Sequence, residues 1–146
     1  MLRLVPVSAD NMPDFEDTSY AAMSDENKRG MICESCEKSH DGAYFEILSA
    51  MDDGQIVGFM NLYAHSAQTI SIGPEIKSRF RKMGYGYLAV TLALQYAHQM
   101  GYTVAVAQVR EDNAASIALH EKLGFRLEER RLNKHGKPVR IYRKAL

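Results

Sequence analysis

Residues 70–86 read ISIGPEIKSRFRKMGYG, an apolar strand that runs into a basic turn carrying Gly84 and Gly86. Over residues 87–100 the polar positions are Thr91, Gln95, His98 and Gln99, a single stripe at helical spacing, which predicts a largely buried helix. Ala89, Ala93 and Ala97 fall one turn apart, where small side chains let a helix lie close on a sheet. Strand, glycine turn and helix N-terminus in that order make a device for holding an anion. The glycines let the backbone turn sharply and approach a ligand, and the first amides of a helix have no partner of their own. The helix dipole and the charges of Lys77, Arg79, Arg81 and Lys82 favour phosphate there. The same glycines also suit a plain strand-to-helix turn.

Working outward toward the N-terminus, residues 67–77 read as the third strand of a meander. Its partners are residues 43–51 and 55–65, joined by the hairpin signal Asp52-Asp53-Gly54. Leu2, Leu4 and Val5 open a short strand. Ser8 and Asp10 supply N-cap chemistry for a helix over residues 9–23, and residues 25–39 read as a second short helix or a loop. Toward the C-terminus, Gly101 stops the long helix, and residues 102–109 form a nearly continuous apolar strand of the kind covered on both faces. Asn113 caps a further helix to Leu123, Gly124-Phe125 makes a Schellman-like ending, and residues 126–132 and 139–143 close as an antiparallel hairpin around a turn at 133–138. The class is α+β.

The 146 residues suit one domain, with 46% apolar and 25% charged residues and no repeat or low-complexity segment. No apolar run is long enough to cross a bilayer and the N-terminus lacks a signal-peptide pattern, so the expectation is a soluble cytoplasmic protein. Cys33 and Cys36 are spaced C-x-x-C, but no second pair among the five histidines completes a zinc site; they read as ordinary reduced thiols, and no metal is expected. The zero net charge argues against nucleic acid as a partner. It conceals a split: residues 1–56 carry 12 acids and 4 bases, net −8, and residues 57–146 carry 14 bases and 6 acids, net +8. Either one half meets a cation and the other an anion, or solvated faces are segregated by chance.

Neither the P-loop nor the dinucleotide fingerprint is present: the first needs Gly-Lys-Ser/Thr, the second a third glycine and a later acid in a parallel unit. The run Arg81-Lys82-Met83-Gly84-Tyr85-Gly86 instead resembles the Arg/Gln-x-x-Gly-x-Gly/Ala signature of the GNAT N-acetyltransferase superfamily. The segment NAASIALHEKLGFR, residues 113–126, resembles that family's second motif. The resemblance covers roughly residues 56–146 and implies a mostly antiparallel central sheet flanked by helices and splayed at an acetyl-CoA site. It implies a single N-acetyltransferase domain over residues 1–146, with the N-terminal third on the acceptor side and an acetyl-CoA core over residues 56–146. Acetyl-CoA would be the cosubstrate, its pyrophosphate on the amides of Arg81, Lys82, Met83, Gly84, Tyr85 and Gly86 and its pantetheine along the backbone of Ile76 and Lys77. Asn113 and Ser116 would sit beside the pantetheine or adenosine, and Lys122 near the phosphates. Pro74, which cannot donate to a ladder, fits a bulged or splayed edge.

The implied activity is direct acetyl transfer to a primary amine of a small molecule. The alternatives are a protein or peptide N-terminal acetyltransferase and a non-catalytic acyl-CoA-binding regulator. An alkylamine of pKa about 10 is mostly charged near pH 7, so a base or a desolvating site is needed. Where some relatives carry a glutamate this chain has Gln108, which leaves Glu75, acting through water, or as a solvated strand residue. The family's acid is a tyrosine; here His120 stands in that helix, as general acid or as a packed histidine. The Ile76 amide is the candidate oxyanion donor. Glu16, Asp17, Tyr20, Asp25 and Glu26 are loose candidates for the acceptor side. A homodimer is common among proteins of this kind.

Overall fold

The computed structural model describes residues 1–10 and 12–146. Seven strands, β1 (Arg3–Pro6), β2 (Phe45–Asp52), β3 (Gln55–Ala64), β4 (Thr69–Ile76), β5 (Val104–Arg110), β6 (Arg126–Leu132) and β7 (Pro138–Ala145), form one sheet in the order β1-β2-β3-β4-β5-β7-β6. Every neighbouring pair is antiparallel except β4 and β5, which run parallel. This is the expected α+β architecture of a mostly antiparallel sheet with flanking helices.

Two helices cover one face, α2 (Tyr85–Gln99) and α3 (Ala114–Lys122). The alanine row does what its spacing predicts: Ala89, Ala93 and Ala97 are fully buried with Val90 against Met60, Leu62, Ile70, Ala105 and Tyr142. Each large apolar side chain sealed there contributes about 1.5–3 kcal/mol. The α3 ending is a Schellman motif, since Phe125 N–H donates to His120 at 3.0 Å and Gly124 N–H, at φ 88°, donates to Glu121 at 3.1 Å.

The opposite face is covered at one end only. Helix α1 (Asp25–Glu37) packs on β2, and Ile32 joins Phe15, Ile47 and Phe59 in a smaller core. The helix expected over residues 9–23 does not form; that stretch contains a 3-10 turn at Ser19–Ala22, and Asn11 lies outside the described residues. Pro13 interrupts the span, and its anchors Phe15 and Tyr20 are five residues apart, not at helical spacing. The stronger start lies downstream, where Ser24 Oγ accepts the Asn27 N–H at 3.1 Å and Asp25 and Glu26 occupy the first turn. Residues 25–39, for which the sequence admits a helix or a loop, are therefore mostly helix α1. Strand β5 also departs from expectation: Ala105, Ala107 and Val109 are buried, but Gln108 and Arg110 on the other face are exposed. No helix covers that side of β5 among the described residues.

Candidate active site

Strands β4 and β5 pair at three positions only, from Thr69↔Val104 to Ser71↔Val106, although both continue for several residues. Each stays paired on its far edge, β4 with β3 to Ile76↔Gly58 and β5 with β7 to Arg110↔Val139, so past Ser71 the sheet opens into a wedge. Lys77 N–H donates to the Val57 carbonyl at 2.8 Å, which sets the phase of the β3–β4 ladder. By alternation, the backbone groups of Ile72, Pro74 and Ile76 turn toward the wedge. Pro74 therefore forfeits no ladder bond, and the Ile76 N–H faces the opening. The Ile76 carbonyl accepts from Arg81 Nε at 3.1 Å. Gly58 lets β3 approach this closely: a Cβ there would lie 2.3 Å from the Glu75 carbonyl oxygen.

At the mouth of the wedge the chain makes a 3-10 turn, Ser78–Phe80, capped from afar. The Asp17 carboxylate accepts from Ser78 Oγ and, at 3.2 Å, from the Arg79 N–H, and these bonds hold its carboxyl below the usual range. Lys82 (φ 62°) and Gly84 (φ 85°) then take left-handed conformations before α2 begins. Arg81 N–H is used by Ser78 at 3.2 Å, but the amides of Lys82, Met83, Gly84, Tyr85, Gly86 and Tyr87 donate to no protein group among the described residues, and no side chain caps α2. Alternating handedness followed by a helix start makes a concave row of donors, the geometry of an anion site. Lys122 Nζ lies 4.9 Å from the centre of the Tyr87 ring, so α3 brings a positive charge beside this row. Gly86 sits where a Cβ would meet Leu119 of α3 at 3.2 Å and Ile76 at 4.0 Å, so the amide row, α3 and the end of β4 converge.

Other predicted residues are occupied elsewhere. The Lys77 side chain is buried at 1% exposure, its Nζ donating to the Asp14 carbonyl at 3.1 Å, and does not join the anion site. Both Glu75 oxygens accept from Ser19, from its N–H at 2.6 Å and its hydroxyl at 2.5 Å. Tyr85 turns its hydroxyl to Asp52 at 2.7 Å, whose carboxylate also meets the N-terminal ammonium at 2.9 Å. Asn113 Oδ1 accepts the Ser116 N–H at 3.1 Å and so caps α3. Ser116 in turn accepts, through its carbonyl, a 2.8 Å bond from His120 Nδ1. His120 is 1% exposed, parallel to the Tyr142 ring and edge-on to Phe125 at 5.1 Å, with Nε2 unpartnered. Burial pushes its pKa below the ordinary value, so the ring is neutral near pH 7 with its proton on Nδ1.

Of the acceptor candidates, Asp17 is committed to the 3-10 turn, Asp25 and Glu26 to the first turn of α1, and Tyr20 packs on Phe15 and Phe59 at 5.4 and 5.7 Å. Glu16 carries no such commitment beyond its own N–H on Asp14. The acidic N-terminal third and the open end of β4 are nevertheless joined, through Asp14–Lys77, Asp17–Ser78 and Ser19–Glu75. Sequence reasoning predicted the β6–β7 turn and the helix of Tyr87 but gave neither a place beside the wedge. A hollow of about 450 Å³ lies between Gln108 and Arg131, Leu132, Asn133, Lys134 and His135 of that turn. A larger depression of about 740 Å³ between the N-terminal segment and α1 contains none of the wedge residues. Cys33 and Cys36 are exposed free thiols, and no group of three metal-ligating side chains occurs among the described residues. No helix among the described residues is long and apolar enough to cross a membrane.

The fold matches solved structures along nearly its whole length. A GNAT family acetyltransferase from Elizabethkingia anophelis, solved with acetyl-CoA bound, superposes with a TM-score of 0.78 at 19% identity, covering 99% of this chain and 98% of that one. A chimera built on the spermidine N-acetyltransferase SpeG of Vibrio cholerae gives 0.82 at 14% identity, over 98% and 95%. The Salmonella typhimurium acetyltransferase that modifies the N-terminal serine of ribosomal protein L7/L12 gives 0.81 at 17%, over 99% and 95%. No curated protein sequence matches significantly. The model of the Acetyltransferase (GNAT) family matches residues 6–125, from β1 through the Schellman turn after α3. A match over most of the chain, together with the splayed sheet and the amide row, settles the kinship: this chain belongs to the GNAT family of acetyltransferases.

Proposed function

We propose that the chain transfers the acetyl group of acetyl-CoA directly to a primary amine of a small molecule. The observation that carries this is the row of unpartnered amides from Lys82 to Tyr87 at the mouth of the β4–β5 wedge. A diphosphate fits such a row, because it needs several convergent N–H donors and a nearby cation, here Lys122. Acetyl-CoA supplies the activated acyl thioester.

The residues divide the work as follows. Lys82, Met83, Gly84, Tyr85 and Gly86 hold the pyrophosphate through backbone donors, while Arg81, whose own amide serves the turn, braces the Ile76 carbonyl. The open edge of β4 offers the second lone pair of the Ile76 carbonyl, beside the bond from Arg81, to an extended chain lying in the wedge, as an absent strand would. The Lys77 amide, taken by Val57, is not free for that purpose. The Ile76 N–H donates to the carbonyl oxygen on which negative charge develops, a contribution of about 3–4 kcal/mol at comparable sites. Asn113 and Ser116, fixed to each other by the α3 cap, are proposed to meet the pantetheine or adenosine.

Proton transfer is the constrained part. Gln108 cannot accept a proton, so Glu75, reached through water, is the proposed base; to serve, it must share an oxygen now held by Ser19. His120, neutral and without a proton on Nε2, is poorly set up to protonate a leaving thiolate, and a packing role suits it better. The thiolate of CoA, a good leaving group, can take its proton from solvent. The N-terminal third is proposed as the acceptor side of a single domain because three long-range contacts fasten it to the end of β4.

Free-thiol release with acetyl-CoA and a panel of small amines tests the reading. Turnover with one or more small amines supports it. Turnover only with peptides moves the assignment to a protein N-terminal acetyltransferase, which the uncovered sheet face beside Gln108 would admit. CoA binding without turnover on any acceptor leaves a non-catalytic acyl-CoA-binding protein.

A further inference from the structure

The hollow beside Gln108 has a chemistry of its own. By the β4–β5 register, Ser71↔Val106, Gln108 stands level with Gly73, at the point where the two strands have parted, and its side chain emerges on the uncovered face of the sheet. Its neighbours across the hollow are Arg131, Asn133, Lys134 and His135, and no carboxylate lines it. Arg131 has a partial partner in Glu129 at 3.1 Å; Lys134 and His135 form no ion pair among the described residues. The turn that carries them is built. Asn133 Oδ1 accepts the N–H of His135 and of Lys137, both at 2.9 Å, its own N–H donates to the Lys137 carbonyl at 2.8 Å, and Gly136 N–H returns to the Asn133 carbonyl at 2.9 Å. With its oxygen so engaged, the Asn133 amide presents only its NH₂ donors outward.

A cluster of donors without an acceptor carboxylate, about 10 Å along the wedge from the Ile76 amide, selects a negative group. We propose that this hollow holds the distal anion of the acceptor, a carboxylate or a phosphonate-type group, so that the preferred acceptor is a zwitterion. Its amine reaches the wedge past Gln108 while its anion rests on Lys134 and Arg131. A glutamate at position 108 would repel such an anion; the glutamine there does not. This rests on the acetyl-transfer reading and narrows its substrate class away from polyamines.

The test compares thiol release for an unbranched series of amino acids, from glycine upward, with alkylamines, diamines and aminoalkylphosphonates of matched length. The expected result is a kcat/KM at least about tenfold higher for the anion-bearing member than for the matched alkylamine or diamine, with the carboxylate and phosphonate arms telling which anion is preferred. Lys134→Ala and Arg131→Ala each raise KM for that acceptor about tenfold, and Lys134→Glu, on an exposed turn that tolerates it, shifts preference toward the diamine. A diamine preferred by the wild-type protein, or a preference that survives Lys134→Glu, overturns the proposal while leaving acetyl transfer intact. If no acceptor turns over, the hollow is read directly by following the side-chain amide NMR signals of Gln108 and Asn133 during titration with the amino acid and with the matched diamine. Saturable shifts with the first alone uphold the anion site, and their absence refutes it.

Discussion

The two walls of the wedge are built by different means. The β5 wall is assembled within the C-terminal half: β5 zips to β7, from Val104↔Ala145 to Arg110↔Val139, and α3 is held by a cap and a Schellman turn whose bonds span three to five residues. The β4 wall is pinned by partners far away in sequence, Ser19 to Glu75, Asp17 to Ser78 and Asp14 to Lys77, at separations of 56, 61 and 63 residues. One wall is complete within residues 104–145; the other is completed only when the N-terminal third arrives. Substitutions on the β4 wall should therefore disturb the fold and the acceptor side together, and those on the β5 wall should stay local.

The largest effect is expected at Gly58. A side chain there meets backbone, the Glu75 carbonyl at 2.3 Å and the Ile76 Cα at 2.9 Å, and backbone cannot swing aside. Gly58→Val should cost about 4 kcal/mol and strip β3 from the end of β4, read as a fall in the urea midpoint. Gly86→Ala makes the contrasting case, because its Cβ meets side chains and no backbone, the flexible end of Leu119 at 3.2 Å and Ile76 Cγ1 at 4.0 Å. Equal losses at the two glycines would mean that the close backbone approach of β3 to β4 is not what makes Gly58 costly to replace.

Next in size is Lys77→Ala. It removes a long buried side chain and leaves the Asp14 carbonyl without its donor, at an expected cost of about 2–3 kcal/mol. Hydrogen exchange is the sharper readout: amides around Phe15 to Ala22 should exchange faster while those of α3 do not change. Faster exchange in α3 as well would mean that the walls are one cooperative unit.

This difference also sets what could be read from sequence. Asn113 three residues before Ser116, and Gly124-Phe125 after a helix, are signals whose cause and effect lie within one turn, so α3 and its ending were legible. The glycine run at residues 81–86 was legible for the same reason. The role of Lys77 was not: a lysine beside a basic turn reads as part of the anion site, and only the arrival of Asp14 turns it inward. The false helix at residues 9–23 has the same origin, since Ser8 and Asp10 offer a local start while Phe15 and Tyr20 are claimed by Phe59 across the sheet.

On the β5 wall Asn113→Ala removes one local bond, Oδ1 to the Ser116 N–H, and should lower stability by about 1 kcal/mol with no change in exchange at residues 14–22. A thermal melt with hydrogen exchange checks both halves of that statement. A loss of two or more kcal/mol would show that the cap supports more than α3.

The smallest effect is expected at His120→Phe, and there the chemistry can be separated from the packing. The imidazole bonds through Nδ1 to Ser116 alone, to its carbonyl at 2.8 Å with its hydroxyl at 3.3 Å, and otherwise lies between Tyr142 and Phe125, a site that a phenyl ring fills. The stability change at neutral pH should stay within about 1 kcal/mol, since a bond is lost and an unpartnered Nε2 is removed. The pH dependence has a definite sign. The folded pKa lies below the unfolded value of about 6.5, so between them the unfolded chain binds more protons, and stability is lost as pH falls from about 6.5 toward the folded pKa. His120→Phe should remove that part of the loss, while His40, raised by its bond to Glu34 and titrating with the opposite sign, is common to both proteins and cancels in the difference. Thiol release should keep its rate within about twofold. A fall of a hundredfold or more, the scale of a missing general acid, would put His120 back into the reaction and make the β5 wall a catalytic one.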